Sequence, residues 1–143
     1  MFMRPYMTDL VPAEDLLLFE KIEGQIQKMP EVDLGVNKEG RKVLVSCHMV
    51  ARALARIFPE VAYKDGYFGR HGQRHSWLRV KRNPKLIIDP YPIALIGGPI
   101  MVHGGFITTP WDKLYIEAKL TELGGWEFRH HVKLVESAMR NGK

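Results

Sequence analysis

Between Val61 and Asp89 the chain carries three runs with strand character, Val61 to Phe68, Ser76 to Lys81 and Leu86 to Asp89, joined only by Gly69 to Gln73 and by a turn at Asn83-Pro84. Connections this short join antiparallel neighbours, because parallel pairing needs a crossover of about a dozen residues or more. The spacing therefore predicts an antiparallel meander. Alternation of Ser76, Leu78 and Val80 with Trp77, Arg79 and Lys81 predicts one covered face.

Helical patterns flank this sheet. From Ala13 to Met29, Leu16, Leu17, Phe19, Ile22, Ile26 and Met29 recur largely at spacings of three and four, which predicts an amphipathic helix ended by Pro30. Glu31 to Arg41, with Gly35, Asn37 and Gly40, reads as a connecting loop with room for a short strand. Ser46 is a candidate N-cap for a second helix, Cys47 to Phe58, which stops before Pro59. Gly97 to Thr108 is glycine-rich, with strand character at Ile100 to Val102. Thr109-Pro110 carries the signals of a helix start, with Asp112 near the positive end of its dipole, and predicts a helix to about Leu123. Gly124-Gly125 stops it, and Phe128, Val132, Val135 and Met139 mark a last helix closed by Asn141-Gly142. The order predicts an α+β fold.

A chain of 143 residues with 45% hydrophobic side chains builds one core, so a single domain over 1–143 is expected. The net charge of +5 is modest, and the only local basic cluster, Arg79, Lys81, Arg82 and Lys85, flanks the turn at Asn83-Pro84. That is the pattern of a solvated turn, and no nucleic-acid partner is expected. One cysteine allows no internal disulfide, and Met1 to Leu10 shows no secretory signal, so a cytoplasmic protein is expected. The longest apolar region, Ile93 to Val102, is broken by Gly97, Gly98 and Pro99 and falls short of the ~20 residues of a membrane span. The sequence leaves the oligomeric state open.

The candidate chemistry centres on Cys47. A thiol attacks carbonyl carbon as the thiolate, which a helix N-terminus and a neighbouring imidazole both stabilise. Cys47 stands at the first helical position, where backbone N–H groups lack intrahelical acceptors. His75 begins one strand run and Asp89 ends the next, about equally far from Asn83-Pro84. Opposite side chains in such a pair lie ~5 Å apart at Cβ, which permits an imidazole Nδ1–H to reach the carboxylate.

Ser46-Cys47-His48 opening a helix with Ala51 and Ala55, then Asp65-Gly66-Tyr67-Phe68, His75-Ser76-Trp77-Leu78 and Ile87-Ile88-Asp89-Pro90 resemble the transglutaminase-like superfamily over about residues 43 to 92. The resemblance implies a papain-like core, about 42–92 here, with a cysteine-bearing helix packed on an antiparallel sheet that carries His and Asp. It implies catalytic roles for Cys47 as nucleophile, His75 as general base and acid, and Asp89 as orienting carboxylate, acting on an amide of a peptide or protein substrate without a cofactor. Proteases, amidases and cross-linking acyltransferases share this pattern. Members often carry Gly two residues before the cysteine and an aromatic after it, where this chain has Val45 and His48. All three Trp follow Cys47, so the upstream oxyanion residue has only Gln25, Gln27 and Asn37 as candidates.

Two other readings use the same residues. A non-catalytic member of the fold would serve as a protein-binding module. A metal-dependent hydrolase would use Cys47, His48, His71, His75, His103, His130 and His131, but the four-residue spacing of His71 and His75 has geometric meaning only on a helix, and Gly69-Arg70-His71-Gly72 reads as a loop. His130 and His131 fall on different sides of the last helix, and Trp77 either shields the His75–Asp89 pair or packs in the core. Gly97-Gly98 and Gly104-Gly105 precede no Lys-Ser/Thr helix start and do not form a phosphate loop.

Overall fold

The computed structural model describes residues 13–28, 33–69, 72–82, 87–89, 105–107 and 115–141. In chain order these form α1 (Ala13–Lys28), α2 (Cys47–Ile57), β1 (Val61–Phe68), β2 (Gln73–Val80), β3 (Ile87–Asp89), β4 (Gly105–Ile107), β5 (Tyr115–Glu117), a 3-10 turn at Thr121–Gly124 and α3 (Trp126–Asn141). The strands form one antiparallel sheet in the order β4-β3-β2-β1-β5. The α+β class and the meander β1-β2-β3 agree with the sequence. Among the described residues no helix is long and apolar enough to cross a membrane. The strand expected at Ile100 to Val102 lies outside the described residues, as does the Asn83-Pro84 turn.

Two expectations need correction. The segment expected as a helix up to Leu123 contains β5, whose Tyr115, Ile116 and Glu117 pair with Phe68, Tyr67 and Gly66 of β1. Helix-start signals act locally, whereas Tyr-Ile-Glu fits a pleated edge and satisfies the otherwise open edge of β1. Ala118 N–H continues that ladder to the Asp65 carbonyl at 3.0 Å. The second correction concerns β2, which begins earlier than expected, at Gln73, and is covered on both faces through Ser76, Trp77 and Leu78.

The two coverings differ in kind. Leu78, Val80, Val61 and Ile88 join the main core, with Phe19 and Ile22 of α1, Val50 and Leu54 of α2, and Val135 and Met139 of α3. The opposite face holds a smaller cluster of Trp77, Ile87 and Tyr115, with Phe68 packed against it. Because side chains alternate along a strand, consecutive residues of β2 serve different sides: Ser76 faces the helices, while His75 lies on the side of Trp77. Gly66 sits opposite His75 where β1 and β5 approach so closely that a Cβ would stand 2.0 Å from the Ile116 carbonyl oxygen.

Candidate active site

Ser46, with extended backbone (φ −112°, ψ 163°), caps α2 by accepting the Met49 N–H at its Oγ, 3.4 Å away. Cys47 is thus the first helical residue, as expected from sequence, and is 7% exposed. The first turn of α2 contains no carboxylate, so nothing there opposes the positive end of the helix dipole.

His75 and Asp89 meet as expected, but through different geometry. Leu78 pairs with Ile88 and Arg79 with Ile87, and extending that register puts Trp77, not His75, opposite Asp89. The contact is diagonal, and the ring spans it with the nitrogen farther from the backbone: Nε2, not Nδ1, lies 2.8 Å from Asp89 Oδ2. Nδ1 is left for the thiol. The same Oδ2 accepts the Tyr115 hydroxyl at 2.6 Å. Tyr115 is the residue that sequence reasoning missed here, because its segment carried the wrong helical assignment. Asp89 Oδ1 is buried without a hydrogen-bond partner among the described residues.

Aromatic rings enclose this pair. Trp77 lies 6.0 Å from His75 between ring centroids, Phe68 meets His75 edge-on at 5.7 Å, and Trp77 and Tyr115 stand 5.1 Å apart. Trp77 therefore fills both roles considered for it, packing in the smaller cluster and shielding the pair from water. Burial pushes the His75 pKa down by disfavouring the cation, but the Asp89 charge and hydrogen bond, and then Cys47, outweigh it and raise the value to about 10. Burial likewise pushes the Cys47 thiol up. Hydrogen bonds from His48 and His75, with the charges of both rings, prevail and bring it down to about 6. Between those two values the stable form is thiolate beside imidazolium.

His48, the position after the cysteine, also reaches the thiol. Its Nδ1 lies 2.6 Å from Ser76 Oγ, which donates to Asp65 Oδ1 at 2.6 Å. Asp65 is gripped by Arg52, through Nη1 at 2.9 Å and Nη2 at 2.7 Å. Burial would raise the Asp65 pKa, but the Arg52 and Ser76 hydrogen bonds hold it below the usual carboxylate range. The Arg52 guanidinium in turn lies over Tyr63, 4.2 Å from the ring centroid, and 5.2 Å from that of Phe128. The signal available in sequence was the helical spacing of His48 and Arg52 and the hairpin that sets Asp65 opposite Ser76.

The other sequence candidates fare differently. Asn37 Oδ1 accepts the Glu39 and Arg41 N–H groups, at 3.0 and 2.9 Å, and so serves its own loop. Gln25 Oε1 is buried and unpartnered among the described residues, and the Gln27 side chain lies outside them. His71 and His103 lie outside the described residues too; His130 is exposed and His131 half-buried. Among the described residues no three or more His, Cys, Asp or Glu side chains gather in a way that could hold a metal ion. In the basic cluster Arg79 pairs with Glu117 at 2.6 Å and Arg82 with Glu14 at 3.5 Å. Fold and site together define a small α+β scaffold presenting a buried thiol between two supported imidazoles. No protein-family model, curated protein or solved structure matches this chain.

Proposed function

We propose that the chain is a papain-like, transglutaminase-like thiol enzyme that transfers or hydrolyses the acyl group of an amide. The observation that carries this reading is the contact of Cys47, at the start of α2, with a His75 imidazole whose Nε2 is held by Asp89 at 2.8 Å. The Cys47 thiolate attacks the carbonyl carbon, and the tetrahedral oxyanion draws on the N–H groups of Cys47 and His48 at the start of α2, since those of Met49 and Val50 already donate to Ser46. The C–N bond breaks as the His75 Nδ1 proton passes to the leaving amine. Water or a second amine then attacks the thioester, forms the new C–O or C–N bond and expels the thiolate. Asp89 keeps the ring oriented and balances its charge. The substrate class we propose, an amide or isopeptide of a peptide or protein, follows the transglutaminase-like likeness of residues 43 to 92. The rival, a binding module on the same fold, keeps an ordinary thiol.

Alkylation of Cys47 by iodoacetamide across pH separates the two. The rate constant is expected to rise with a midpoint near 6 and then level off, because the thiolate is already formed at neutral pH. In His75→Ala the midpoint should move toward the ordinary thiol value of about 8.5. A wild-type profile with that ordinary midpoint would leave Cys47 an unactivated thiol and sink the proposal.

A further inference from the structure

Resting on the acyl-transfer reading above, we infer that His48 is a second catalytic residue, the base that activates the water or amine resolving the Cys47 thioester. A count of protons along its supporting chain carries the assignment. Asp65, held at both oxygens by Arg52, is ionised and has no proton to give. Ser76 has one hydroxyl hydrogen, and it points to Asp65. Ser76 Oγ can therefore only accept from His48, so Nδ1 carries a hydrogen. With Nδ1–H given to Ser76, Nε2 is the atom left to face Cys47, and it donates to the thiolate in the resting enzyme.

His75 cannot easily serve both halves of the cycle. Once it has protonated the leaving amine, the Asp89 carboxylate at its Nε2 favours the cation over the neutral ring that a base must be. In the thioester the sulfur carries no charge, so the Nε2–H of His48 loses its acceptor, and once that proton has gone to solvent the lone pair faces the reacting group. An incoming water forms the C–O bond while its proton passes to Nε2, and the collapsing intermediate expels the thiolate. The charge on His48 is balanced by Asp65 through Ser76. Its proton stays to meet that thiolate, the proton of the product acid leaves to solvent and His75 regains its own there; an amine nucleophile follows the same path with C–N in place of C–O. Ser76 is fully buried, and the hydrogen bonds of its hydroxyl to both His48 and Asp65 offset the cost of that burial while fixing the orientation of the His48 ring.

The test uses p-nitrophenyl acetate as acyl donor and follows acetyl-Cys47 by intact mass. His48→Asn keeps an amide N–H where Nδ1–H stands and removes the base at Nε2. Its acylation should fall by less than about tenfold and its release by about 10²-fold, so that acetyl-enzyme accumulates. In His48→Ala added imidazole should restore release, an effect that a packing role would not produce. Release at the wild-type rate in His48→Asn, or equal losses in both steps without imidazole rescue, would overturn the role of His48 alone. A wild-type chain that never becomes acetylated would overturn the acyl-transfer reading and this role with it.

Discussion

Asp89→Asn is expected to keep the fold and to lower acyl transfer by up to roughly 10⁴-fold, the loss that the same carboxylate-to-amide change causes in a Ser-His-Asp site. The geometry makes this variant unusually clean. Oδ2 accepts both His75 Nε2–H and the Tyr115 hydroxyl, whereas Oδ1 accepts nothing among the described residues. An amide oxygen can take the first place and its NH2 the second, so the hydrogen bonds survive while the charge goes. That charge is the largest influence raising the His75 pKa, and the buried ring is expected to lose its proton without it. With a neutral imidazole the thiol loses its counter-charge and its alkylation midpoint climbs from about 6. Turnover of p-nitrophenyl acetate and a urea melt on the same sample give both readouts. Activity within tenfold of wild type would mean that the carboxylate charge does not matter to Cys47.

Gly66→Ala should strongly destabilise the sheet. The new Cβ would meet the Ile116 carbonyl oxygen at 2.0 Å and the Ala118 nitrogen at 2.9 Å, and both are backbone atoms that no rotamer change can move. Relief requires β5 to leave β1. We expect a loss of about 3 kcal/mol in urea unfolding, the upper end for overpacking, and faster amide exchange through Tyr115–Glu117. Activity should fall as well, because β5 delivers the Tyr115 hydroxyl to Asp89. Unaltered stability would show that the two strands part at little cost.

How far the sequence reveals this site depends on the range over which each signal acts. Ser46 and Cys47 were legible because a cap and a helix start are defined within a few residues. The limits of β1 were equally plain, set between Pro59 and Gly69. His75 and Asp89 could be brought together by a short turn, but the diagonal register that selects Nε2 depends on the pairing of Leu78 with Ile88, which no local pattern specifies. Tyr115 was out of reach. Its strand exists because β1 offers an edge far back in the chain, and the nearby Thr109-Pro110 argued for a helix instead. The support behind His48 combines an α2 side chain with two strands, and Ser76 read simply as a covered strand position until its hydroxyl could be placed between His48 and Asp65.

The alternation of His75 and Ser76 across β2 has a consequence for how such a site can change over generations. One strand supplies the imidazole of one proton path and the hydroxyl of the other, on opposite sides of the sheet. Losing or gaining a single codon between the start of β2 and His75 would turn both side chains over together, sending the imidazole toward the helices and the hydroxyl toward Trp77. Point substitutions at either position can be explored one at a time, but insertions and deletions there cannot. Lineages carrying this strand are therefore expected to vary in the Gly69 to Gly72 connection while holding the length of 73–80 fixed.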